Sequence, residues 1–298
     1  MNTQTLVRAR GETGLARTVL GLFKLRIGVL IMITALAGMA AAHGQLAHAW
    51  QAVVVALAVL VASGSAGAYN QYFEAETDRL MARTRGRAFA TGVLPHSRWW
   101  LLLIGGLLAA AVGSAWWAAN AVSAAFIFLG AFFYGVVYTV WLKRRTWLNI
   151  VIGGLSGSFA VLGGAAAVDP SIGMQPMLLA LVLFLWTPPH FWSLAIANSA
   201  DYAAAGVPML PVVAGPERAA RVVHGSTLAL VVASLLPLAF GAGWAYGVGA
   251  LLGGAHFLRK TRALAASPSR KTAMGAFFAS MVQLSLVLAA VAVDAALR

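Results

Sequence analysis

Apolar residues run through this chain in long blocks rather than in alternation. Nine stretches, at 27–43, 50–69, 99–118, 120–141, 148–168, 175–197, 223–242, 244–258 and 273–293, contain no Asp, Glu, Lys or Arg. A helix needs about 20 mostly apolar residues to cross the hydrocarbon of a bilayer. The pattern therefore predicts an all-α, polytopic membrane bundle of about nine transmembrane helices. The eighth stretch is the shortest and is rich in glycine. Residues 1–26 read as a polar, basic cytosolic segment, and 27–298 as a single transmembrane domain. The first 26 residues show no apolar core and no cleavage site, so they are not expected to act as a signal peptide.

The basic residues order these blocks. Twenty of the twenty-one Lys and Arg fall before the first stretch or between the second and third, fourth and fifth, sixth and seventh, and eighth and ninth. The intervening segments, such as "AHGQLAHAWQ" and "DPSIGMQ", carry none. Because Lys and Arg are retained on the cytoplasmic side, the N-terminus is expected inside and the C-terminus, with Arg298, outside. Composition agrees: the 298 residues are 61% hydrophobic and 10% charged, against roughly 25% charged in soluble domains. The net charge of +13 then reports topology and contact with anionic lipid, not nucleic acid. With no cysteine, disulfide and thiolate-metal chemistry are excluded.

One polar island departs from this economy of charge. "NQYFEAETDRLMARTRGR", residues 70–87, holds three of the eight acidic residues and four of the basic ones. On a continuous helix Asn70, Glu74 and Asp78 would share one stripe, a wall of hard oxygen atoms suited to Mg²⁺ bridging to phosphate. Glu76 would face elsewhere. Arg79, Arg83, Arg85 and Arg87 follow, and either grip diphosphate oxygens or serve only as topology signals. Acidic groups at the mouth of a membrane bundle are costly, so their clustering asks for a function.

A second island, "WTPPHFWSLAIANSADYAAAGVPMLPVVAG" (186–215), brings Asp201 to the same predicted face. Pro188 and Pro189 are expected to break or kink their helix and free carbonyls at membrane depth. Asp201 and the first acidic wall would then form opposite sides of a metal–diphosphate site. A third patch, "YTVWLKRRTWLNIVIGG", adds Lys143, Arg144, Arg145 and Asn149. Its triplet is also readable as a topology signal, and Asn149 as a helix cap.

At these blocks the chain resembles the UbiA-type intramembrane prenyltransferases, and within them the heme O synthase (protoheme IX farnesyltransferase) branch. The resemblance covers about Lys24 to Gly215, through "NQYFEAETDRLMARTRGR", "YTVWLKRRTWLNIVIGG", "TPPHFWSLAI" and "DYAAAGVPMLPVV" in order. The last three stretches match only in hydropathy. Glu74 and Glu76 stand where the family usually has Asp, Leu25 and Ala88 where it has Pro, and Ala197 where many members have a second Asp. "GSFAVLGGAAA" lacks the usual prolines and tryptophan, and "NSADY" the usual basic residues.

The resemblance implies a UbiA-type fold and Mg²⁺-dependent transfer of the farnesyl group of farnesyl diphosphate to a vinyl group of protoheme IX, with water added, giving heme O. It implies Asn70, Glu74, Asp78 and Asp201 as metal ligands and catalytic residues. Substrate contacts would come from Arg79, Arg83, Arg85, Lys143, Arg144, Asn149, His190 and Tyr202. His190, flanked by Trp186, Phe191 and Trp192, would ligate iron or orient the macrocycle, or instead be a buried histidine bonded to a freed carbonyl. Other expected partners are the bilayer of a bacterial inner membrane and a downstream heme A synthase. The alternatives are a UbiA-type enzyme acting on a quinone precursor or chlorophyllide, and a transporter. Transport would spread polar residues through the spans, whereas here they gather at one face.

Overall fold

The computed structural model describes Gly14, residues 18–42, Gly44, Leu46 and residues 48–297. Arg8, Arg10, Arg17 and Arg298, counted in the charge pattern, lie outside the described residues. The long helices are α1 (Leu25–Ala41), α2 (Ala49–Phe73), α5 (Arg98–Ala118), α6 (Ala121–Phe132), α8 (Leu155–Val168), α9 (Met174–Ala197), α12 (Pro216–Ala239), α13 (Trp244–Ala266) and α14 (Arg270–Ala296). Short helices α3 (Ala75–Arg79), α4 (Ala88–Thr91), α7 (Asn149–Gly153), α10 (Ser199–Ala204) and α11 (Leu210–Ala214) sit in the connections. Among the described residues, seven helical segments are long and apolar enough to cross a membrane, and α1 adds a shorter apolar one of 17 residues. The chain is a multi-pass membrane protein.

Contacts between connections fix the alternation. Lys24 before α1, Asn70 and Glu74 at the end of α2, and Lys143 after α6 touch one another. The polar residues of the other connections meet separately: Gln51 donates to Ala118 O, Asn120 to Ala166 O, and Gln175 to Pro237 O and Phe240 O. The basic, acid-bearing segments thus share one end of the bundle.

Small residues let the helices close on one another. A Cβ on Gly164 of α8 would overlap the carbonyl oxygen of Ala35, and one on Gly38 of α1 would overlap that of Val161. The two backbones touch, as small-residue contacts between membrane helices allow. "GSFAVLGGAAA" is therefore a packing surface against α1. Gly249 and Gly253 play the same part for α13, a Cβ on either crowding Ala290, Leu286 or Gln283 of α14.

Several element expectations are corrected. The eighth helix is not short: α13 spans 23 residues and carries Arg259, Lys260 and Arg262 on its final turns. Likewise α12 starts at Pro216, so Arg218 and Arg221 are helical. Pro188 and Pro189 do not break α9, which runs through them. Their missing N–H groups cost the carbonyls of Phe184 and Leu185 their helical donors, but packing holds the helix. The fourth span changes pitch, continuing from α6 as a π-helix at Phe133–Leu142. The fifth is divided at Gly154 between α7 and α8.

Candidate active site

The acidic segment does not form one uninterrupted helix. Helix α2 stops at Phe73, and Glu74 (φ −93°, ψ 8°) is the joint to α3. Helical bonding bridges the joint: Glu74 N–H donates to Asn70 O at 3.0 Å and Asp78 N–H to Glu74 O at 2.8 Å. Asn70 and Glu74 therefore remain neighbours, and Asn70 Nδ2 donates to Glu74 Oε2 at 2.9 Å. Glu74, Asp78 and Asn70 are 1%, 2% and 3% exposed, while Glu76 lies at the surface against Arg79.

Each buried carboxylate has a cation. The Lys143 ammonium pairs with Glu74 Oε1, and Arg87 Nη1 reaches both oxygens of Asp78 at 2.8 and 2.9 Å. Lys24 Nζ donates to Asn70 Oδ1 at 2.8 Å and to Tyr134 OH at 3.3 Å. Lys24 has a left-handed backbone (φ 48°, ψ 44°) where the chain enters α1. Gly67 leaves room for its stem, which would lie 3.4 Å from a Cβ there. Burial, and then Arg87, lower the Lys24 pKa from its usual value to about 7.

The π-helical stretch aims several groups at the same place. Thr139 Oγ1 accepts from Asn70 Nδ2 at 3.1 Å. Tyr134 and Tyr138 stack at 5.7 Å, with Lys24 Nζ and Lys143 Nζ each 5.8 Å from one of the two ring centroids. Long π-helical runs are rare, and π geometry recurs at functional sites. Arg144 donates to Thr77 Oγ1 on α3.

The second polar island comes near the first at Tyr202, on whose hydroxyl the Arg83 charge acts. Burial raises the Tyr202 pKa, and the Arg83 charge opposes that rise. Asp201, beside it in the first turn of α10, has no side-chain bond among the described residues. Nor, among those residues, do three Asp, Glu or His side chains gather into a ready metal cage. Asn70 and Glu74 thus touch, Asp78 is buried with its own cation, and Asp201 makes no hydrogen bond or ion pair with any of the three among the described residues.

Other expected residues lie apart. Arg79 is engaged with Glu76 and with Ala90 O, and Arg85 is exposed. Asn149 is fully buried and does not cap a helix as an acceptor. It donates to Thr146 O at 2.6 Å and Lys143 O at 3.4 Å, bracing the basic turn, and its Oδ1 has no partner. His190 is buried in α9 against α14. The contributions of Lys24, Thr77, Tyr134, Tyr138 and Thr139 went unseen in the sequence. Of these only Lys24 stood out at all, as one of the basic residues before the first stretch.

Buried carboxylates, each held by a lysine or arginine, thus close one end of a bundle of membrane helices. The chain belongs to the UbiA prenyltransferase family, whose model matches residues 31–282. It is 54% identical over 278 residues to Protoheme IX farnesyltransferase 2 of Paramagnetospirillum magneticum, covering 93% of this chain and 96% of that one. With Protoheme IX farnesyltransferase 1 of the same organism the identity is 45%, covering 93% and 98%. Among solved structures, a digeranylgeranylglyceryl phosphate synthase shares the fold with TM-score 0.74 at 18% identity, over 94% of this chain and 98% of the other. A UbiA homolog from Archaeoglobus fulgidus bound to DMAPP and Mg²⁺ gives 0.69 at 15% identity, over 89% and 97%.

Proposed function

We propose that this chain transfers the farnesyl group of farnesyl diphosphate to a vinyl group of protoheme IX, with addition of water, giving heme O and diphosphate. The observation that carries the reading is the buried group of Asn70, Glu74 and Asp78 with Lys143 and Arg87, in a chain 54% identical to a protein named for this reaction. The donor set fits Mg²⁺: amide and carboxylate oxygens, hard ligands buried together and already matched by positive charge. Glu74, Asp78 and Asn70 would hold the ion, with Asp201 facing them. When bound, it supplies positive charge against the departing diphosphate.

The chain's own groups do the rest. Lys143, Arg87, Arg83 and Lys24 border the head-group position, and they stabilise negative charge as the allylic C–O bond breaks. Arg144 and Asn149 hold the basic turn in place. The apolar interior accepts the farnesyl tail and keeps water from the allylic carbon until the vinyl group has bonded to it. Water then adds to the remaining vinyl carbon and loses a proton, and the bond count closes. His190 and its aromatic neighbours berth the macrocycle. Tyr202 sets the second polar island near Arg83. In this reading the acid-bearing end faces the cytoplasm of a bacterial inner membrane, and a heme A synthase consumes the product.

The test is product analysis with purified protein in lipid, farnesyl diphosphate, protoheme IX and Mg²⁺. A heme of heme O mass that disappears with a chelator is expected. The reading fails if protoheme is recovered unchanged while a quinone precursor or chlorophyllide is prenylated. Glu74→Gln with Asp78→Asn is expected to lower turnover by about 100-fold or more, the scale of losing a principal electrostatic group.

A further inference from the structure

The imidazole of His190 lies between two aromatic faces. Trp186 stacks on one side at 4.1 Å between centroids and Phe277 on the other at 4.5 Å, with interplanar angles of 19° and 28°. Nδ1 is 2.6 Å from Ser280 Oγ. Ser280 owns a single hydroxyl proton, and its Oγ is also 2.6 Å from the carbonyl oxygen of Phe277, which can only accept. The hydroxyl proton points to that carbonyl, so Ser280 Oγ accepts from His190 Nδ1–H.

No carboxylate pairs with the ring among the described residues, and a cation at this depth without one is costly. The imidazole is therefore neutral, with its proton on Nδ1 and a bare lone pair on Nε2. Both faces are covered and Nδ1 is bonded, which leaves Nε2 as the ring nitrogen without a partner among the described residues. Trp186 Nε1 donates to Ser280 O at 2.8 Å, so one residue of α14 anchors both the imidazole and a ring stacked on it.

We propose that Ser280 is a positioning residue: it locks His190 in the Nδ1–H tautomer, so that Nε2 ligates the iron of a metalloporphyrin docked against α9 and α14. This deepens the proposed function and rests on it for the porphyrin. A partner on the far nitrogen that fixes tautomer and ring angle is the usual support of a ligating histidine. The surroundings suit a flat apolar macrocycle arriving from lipid. Phe191 meets His190 edge-on at 4.9 Å, and Phe278 meets Phe277 at 5.4 Å. These two phenylalanines are 36% and 57% exposed.

The test is a titration of the full chain in lipid nanodiscs with ferric protoheme, without farnesyl diphosphate, read by Soret absorption and electron paramagnetic resonance. A histidine-ligated spectrum is expected for the wild type and its loss in His190→Ala. Ser280→Ala is expected to weaken heme binding about 10- to 100-fold and shift the resonance, while Ser280→Thr restores both. Nitrogen-15 spectra of histidine-labelled protein should show a protonated Nδ1 and a bare Nε2 for the resonance missing in His190→Gln. If Ser280→Ala does not fold, judged by its circular-dichroism melt, Ser280→Cys replaces it, with an intermediate loss expected from the weaker sulfur acceptor. Unchanged heme affinity and spectrum in the serine variant, or a protonated Nε2 in the wild type, overturns the proposal. Heme spectra that follow the expectation without any farnesylated product would overturn the reaction and leave this inference standing. Heme O formation with a silent serine variant would do the reverse.

Discussion

Glu74 is enclosed, charged and neutralised by a lysine 69 residues away in sequence. Removing one partner of such a pair leaves a buried charge alone, which costs about 3–5 kcal/mol when burial is complete. Lys143→Met is therefore expected to lower the thermal stability of the detergent-solubilised protein as well as turnover. Adding Glu74→Gln should recover much of the stability but none of the turnover. A double-mutant cycle on unfolding separates the two effects, and simple additivity would refute the coupling. The four-residue spacing of Asn70 and Glu74 was enough to place them together, and they touch. Their cations were not legible, because which lysine or arginine reaches which acid is set by helix packing and not by local sequence. Lys24 is the clearest case: it reads as one more topology charge until the left-handed turn at α1 swings it onto Asn70.

At the level of elements, glycine placement separates contact from permissiveness. Gly164→Val should push α8 off Ala35 and destabilise the protein by about 1–3 kcal/mol, the range for overpacking. Gly105→Ala on α5, where a Cβ would meet nothing within 4 Å, should be neutral or stabilising by about 1 kcal/mol through helix propensity. Thermal unfolding of the two variants side by side checks the pair. Helix positions were largely readable from unbroken apolar stretches, since length and charge-free composition are strong constraints in a bilayer. Pitch and continuity were not. The π-helical winding of Phe133–Leu142 and the passage of α9 through Pro188 and Pro189 both depend on tertiary neighbours. Side-chain bonds such as Ser193 Oγ to Pro189 O, at 2.6 Å, do not show in a hydropathy pattern.

For the molecule as a whole, the alternation of basic segments predicted that the connections bearing Lys24, Glu74 and Lys143 share an end, and their contacts agree. The orientation remains testable: alkaline phosphatase fused to the C-terminus should be active in cells and green fluorescent protein dark. The opposite result would invert the chain in the membrane. The paired charges at the mouth also bear on what the site admits. A lone anion would compete for the cations and leave two carboxylates stripped inside the protein, and a lone metal ion would strand the cations. Only a guest that brings both signs together can swap partners with Glu74–Lys143 and Asp78–Arg87 at once. On the proposed function, the resting mouth would therefore turn away inorganic phosphate and free metal alike and yield only to their complex on a lipid-soluble tail.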